Sequence, residues 1–84
     1  MTRIDLQTLR DLLLRRLQII ADGDLREHHP DRQLALLREL SESIMAFQQQ
    51  HVGSLPPRLR HFLENASFEK AREWVDAELA RSES

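Results

Sequence analysis

His28 and His29 share one short stretch with Asp22, Asp24 and Glu27. Imidazoles beside carboxylates are the side chains that hold divalent cations, so this stretch is the first candidate for chemistry. The spacing does not support it. Neighbouring histidines point in divergent directions, and the helical His-x3-His spacing that favours zinc is missing. The Asp22-Gly23-Asp24 opening does not continue as a calcium loop, because no glutamate stands at the twelfth position. The expectation is a solvated polar loop without a metal. His51 falls on an apolar helical arc near a helix C-terminus, where a charged imidazole is favoured. It is expected to be a core-edge histidine.

Nucleophilic chemistry fares no better. The chain has no cysteine and no tyrosine. Ser54 and Ser67 stand at cap-like places, Ser41 and Ser43 lie mid-helix, and no nucleophile motif surrounds them. Two glycines cannot make a glycine-rich phosphate loop. No catalytic residue and no cofactor is expected, and the chain is not expected to be an enzyme.

Binding residues are easier to name. Arg58, Arg60 and His61 form a small basic patch, with no acid between His51 and Leu63. Two arginines are few for phosphate binding, and the net charge of −2 argues against general nucleic-acid affinity. The last two helices have the outline of a helix-turn-helix, but the final one carries Glu69, Glu73, Asp76 and Glu78 against Lys70, Arg72 and Arg81, which a duplex would repel. Nucleic acid is therefore the alternative partner, RNA before duplex DNA. Three large apolar residues fall off the helical stripes: Ile4, Leu14 and Trp74. Brought side by side, with Arg10 and Glu78 as a charged rim, they would make a contact surface for another protein or a second copy of the chain.

The elements that must position these residues are helices. Thr2 is an N-cap complemented by Asp5, opening a first helix from Arg3 to Ala21. Leu6, Leu9, Leu13, Leu17 and Ile20 recur at steps of three and four. Arg16 lies inside that arc, its stem packed and its head reaching water or an acid. Gly23 is expected to end the helix as a residue of positive φ, followed by a loop to His29. Pro30 opens a second helix that ends near Gly53. Its apolar arc centres on Leu37 and Ile44. Leu36, Leu40 and Phe47 lie to one side and Leu34, Met45 and Val52 to the other, about half the circumference against the ~100° of an ordinary surface helix. So wide an arc places this helix at the centre of the fold. The break at 53–57 carries two prolines, which cannot continue a helix but can open one. A third helix runs from Pro57 to Asn65, and a fourth from Phe68 to Arg81 behind Ser67. The tail, 82–84, is expected to fray.

The opening LRDLLLRRL, followed by a loop and DRQLALLREL, resembles the start of an all-helical chorismate mutase, a small intertwined dimer. The resemblance covers about forty residues of leucine and arginine. That family relies on a lysine in the region joining its first two helices. Here the one lysine is Lys70, so the resemblance supplies no site residue.

The fold class expected is all-α: one domain over residues 1–84, a small bundle of four helices, two long and two short, around a central second helix. The core candidates are Leu9, Leu13, Leu17, Ile20, Leu37, Leu40, Ile44, Phe47, Leu59, Phe62, Phe68, Val75 and Leu79. No apolar run approaches the ~20 residues a membrane span needs, and no signal-peptide pattern opens the chain. The expected location is the cytoplasm. The expected function is a helical protein-interaction module, an adaptor or regulatory subunit without catalysis. A small oligomeric helical enzyme is the remaining alternative.

Overall fold

A computed structural model describes residues 1–83, which form five helices: α1 (Arg3–Ala21), α2 (Gly23–His28), α3 (Pro30–Gln50), α4 (Pro57–Glu64) and α5 (Phe68–Glu83). The fold is all-α, with no strand among the described residues. Helix geometry continues to Glu83, and Ser84, in the tail expected to fray, lies outside the described residues.

Local chemistry accounts for most helix ends. The Asp5 N–H donates to Thr2 Oγ1 at 3.1 Å, and the Thr2 N–H donates to Asp5 Oδ2 at 3.0 Å. This is the expected capping box, satisfying two otherwise unpaired donors. The end of α1 differs from expectation. No glycine has a positive φ, and Gly23 begins a helix rather than closing one. Asp22 is the cause. Its extended backbone interrupts α1, and its carboxylate then accepts from the Leu25 N–H at 3.1 Å to cap α2. Asp24 at the start of α2 and Arg26 and His28 at its end complement the helix dipole. The stretch expected as a loop is thereby a short helix. Gln33 Nε2 donates to the Ile19 carbonyl at 3.0 Å and ties the start of α3 to the end of α1.

The core gathers Leu6, Leu9 and Leu13 of α1, Ile44 and Phe47 of α3, Leu59 and Leu63 of α4, and Ala71, Val75 and Leu79 of α5. The central helix is α1, not α3. It runs antiparallel to α3 on one flank, where Leu12 and Ile19 meet Leu36 and Leu40, and antiparallel to α5 on the other. Arg10 of α1 pairs with Asp76 of α5, and Arg16 lies over the Phe68 ring at 4.4 Å, a cation–π contact rather than an ion pair. The short α4 packs chiefly on α5 and does not cover the far side of α3. Only part of the wide α3 arc is therefore core. Leu40, Ile44 and Phe47 are buried and Leu36 and Leu37 half-buried, while Leu34, Met45 and Val52 are 58%, 57% and 62% exposed. Of the other core candidates, Leu17, Phe62 and Phe68 are half-buried, and Ile20 is exposed at the open end of α1.

The link from α4 to α5 is a Schellman turn. The Ser67 N–H donates to the Phe62 carbonyl at 2.8 Å and the Ala66 N–H to the Leu63 carbonyl at 3.2 Å. Ala66 takes the left-handed position, with φ 54°.

Candidate functional site

Among the places on the described surface where apolar and charged side chains converge, two involve residues of α4. The first lies along the outer edge of α3. Leu34 and Met45 fall on one line of that helix and Val52 follows in the turn beyond it, and the C-terminal half of α3 borders a groove of about 230 Å³ shared with α4. Met45, Gln48, Val52 and Leu55 line the groove, with Arg60 and Glu64 at its rim. Two prolines set this geometry. The backbone turns at 51–54, where the His51 carbonyl accepts from the N–H groups of Ser54 and Leu55, each at 2.9 Å. Pro56 and Pro57 then start α4 at an angle that leaves the edge of α3 uncovered.

The second place is a shallow depression of about 430 Å³ between α4 and α5, lined by Arg58, Phe62, Lys70, Glu73 and Trp74. Trp74 is half-buried and packs against the core.

These positions rearrange the residues singled out in the sequence. Trp74 joins Arg58 on the α4 flank of α5, not Ile4 or Leu14 of α1. Ile4 is 73% exposed near the start of α1, and Leu14 is half-buried farther along it. The charges expected to rim that group are engaged elsewhere: Arg10 with Asp76, and Glu78 with Arg81 at 2.9 Å. The basic patch is divided. Arg58 faces α5, while Arg60 pairs with Glu64 at 3.0 Å and borders the α3 groove. His61 is exposed, with Asn65 Nδ2 at 3.2 Å from its Nδ1. The opposite flanks of α4 keep the two guanidiniums from converging on one phosphate.

The histidines have structural surroundings. His28 and His29 are exposed, and His28 Nε2 lies 3.9 Å from Asp24 Oδ1 one turn back on α2. Among the described residues no three histidine or acidic side chains converge as a metal site. His51 is half-buried and stacks on the Phe47 ring at 4.1 Å. Its Nδ1–H donates to the Phe47 carbonyl at 2.9 Å, so Nε2 is the nitrogen that faces Asp5 Oδ1, 3.4 Å away on α1. The Thr2 backbone N–H holds the Asp5 carboxyl below its ordinary value. Partial desolvation opposes that shift, and the Thr2 side chain and the His51 charge add to it. The pair clips the start of α1 to the end of α3.

The α3 groove was not singled out in the sequence. Its signal was the width of the α3 arc, which exceeds what a single packing seam requires. Comparison with protein-family models, curated proteins and solved structures finds no match. No helix among the described residues is long and apolar enough to cross a membrane.

Proposed function

We propose that the chain is a small helical protein-interaction module, an adaptor or regulatory subunit that acts without catalysis, with the cytoplasm as its setting. One observation carries the reading. Leu34 and Met45 on α3 and Val52 in the turn after it are each more than half exposed, and Met45 and Val52 line a groove shared with Arg60 and Glu64 of α4. Isolated exposed leucines are ordinary. An aligned set beside a groove with a charged rim is the anatomy of a contact surface. The Trp74 depression supports the same reading, because tryptophan is enriched where binding energy concentrates.

The test is affinity capture from native cytosol, read by mass spectrometry, with the tagged chain and its Met45→Glu and Trp74→Ala variants. Helicity is checked by circular dichroism. The expected outcome is a partner held by the wild-type chain and lost in Met45→Glu with the fold intact. A capture profile identical for the wild type, both variants and the tag alone would overturn the reading.

A further inference from the structure

Two cations face each other across the junction of α1 and α5. On α5, Arg72 pairs with Asp76 and Arg81 with Glu78. Lys70 of α5 and Arg16 of α1 pair with no acid among the described residues. Both line a depression of about 400 Å³ between the C-terminal half of α1 and the start of α5. The Arg16 guanidinium is held over the ring of Phe68, the first residue of α5, and its Nε is buried with no hydrogen-bond partner. A charged group drawn out of water with a donor unused is costly, and an acceptor from outside the chain would offset that cost.

We propose that this depression binds the phosphate monoester of a small organic ligand. Arg16 supplies a planar fork of donors and Lys70 a mobile point charge, the two cationic side chains that phosphate recognition uses. The backbone adds to them. Ala71 is the first α5 residue whose N–H is taken within the helix, by the Ser67 carbonyl at 3.0 Å, so the N–H groups of Phe68, Glu69 and Lys70 remain at the positive end of the helix dipole. All three residues line the depression. Oxyanions bind where such N–H groups meet cationic side chains.

The other walls decide the rest of the ligand. Half-buried Leu17 and exposed Ile20 of α1 give the depression an apolar side. Free phosphate would leave it unused, whereas the organic body of a monoester would cover it, the usual division between apolar lining and a few placed polar groups. Glu69 is the opposing charge. One carboxylate against two cations and the helix dipole leaves the depression positive, but weakens its hold on any anion. The site shares no residue with the α3 groove, so it goes beyond the interaction-module reading and stands or falls without it.

Amide NMR titration of the full chain at constant ionic strength reads the site directly, with phenyl phosphate, inorganic phosphate and sodium chloride as probes. Phenyl phosphate is expected to shift the amides of Phe68, Glu69 and Lys70 with a saturable Kd of about 1 mM or below. Inorganic phosphate should shift the same amides with weaker affinity, and chloride should not. Lys70→Gln, at an exposed position, should weaken phenyl phosphate roughly tenfold at unchanged helicity. Arg16→Gln should do the same, and Arg16→Lys, which keeps the charge without the fork, should restore only part of the affinity. Glu69→Gln should tighten binding. Absence of saturable shifts, equal shifts with chloride, or affinity indifferent to Lys70→Gln overturns the proposal. Equal affinity for phenyl phosphate and inorganic phosphate overturns the monoester and leaves free phosphate as the ligand.

Discussion

Ala66 offers the sharpest test of the backbone. It is exposed and holds a φ of 54°, the left-handed position of the Schellman turn between α4 and α5. For an L-residue with a Cβ this conformation costs about 1–2 kcal/mol. Glycine removes that cost but brings extra freedom to the unfolded chain, worth roughly 0.5–1 kcal/mol. Ala66→Gly should therefore stabilise the protein by about 0.5–1 kcal/mol. A domain of this size shifts its midpoint by about 4–8 °C per kcal/mol, so the expected rise in Tm is about 2–8 °C. Thermal melting followed at 222 nm measures it, and urea denaturation gives the free energy independently. Ala66→Val should act in the opposite direction, because a branched Cβ suits positive φ least. No packing change confuses the comparison, since the Ala66 side chain faces solvent. A glycine variant that melts at or below the wild type would refute the left-handed cap. It would also remove the reason given for how α4 meets α5, and with it the placing of Arg58 beside Trp74.

Three further outcomes follow from the same geometry. Ile44→Asp should unfold the chain in circular dichroism, because Ile44 is 1% exposed and a buried unpaired charge costs about 4 kcal/mol or more. The advantage of wild type over Asp5→Asn should depend on pH. The folded carboxyl lies below its ordinary value of 3.8, so its contribution is fully present above that value and disappears as pH falls through the lower folded one. Paired denaturation curves at several pH values check this, and a difference that grows toward acid pH would count against the capping box and the His51 clip. Replacing both His28 and His29 with alanine should leave Tm unchanged with or without zinc. A zinc-dependent rise in Tm that the double substitution abolishes would show a metal site on α2.

What was legible in the sequence was whatever local chemistry decides. Thr2 and Asp5 are a complete N-cap signal, and Pro30 and Pro57 open helices because a ring without an N–H suits that position. The stripe residues Leu9, Leu13, Ile44, Phe47, Leu59, Val75 and Leu79 are buried as their periodicity predicts. Local signals misled where one residue had two uses. Gly23 looked like a helix terminator, yet Asp22 beside it could both break α1 and cap α2, and six residues are too few for periodicity to reveal a helix. Ala66 carried no signal, because glycine or asparagine usually takes the left-handed place, and Asn65 stands one position too early. The regrouping of Trp74 with Arg58 depends on how α4 crosses α5, which no single-helix pattern encodes.

The misplaced centre of the fold has the same origin, and it bears on function. The apolar arc of α3 is wide because it holds two seams. Leu40, Ile44 and Phe47 make one, at steps of four and three, and it closes on α1 and the core. Leu34 and Met45 mark the other, about a third of a turn round the helix, with Val52 in the turn beyond, and no element of the described chain covers it. Periodicity alone merges two adjacent seams into one broad face and assigns the helix to the centre. Only α1, flanked by α3 and α5, is a central helix in fact. A helix at the edge of a small fold gains nothing from a second apolar seam within its own chain. The hydrophobic driving force of that seam is available only to a contact outside the monomer. That is why the edge of α3, rather than the histidines at the end of α2 or the divided arginines of α4, is where function should be sought first.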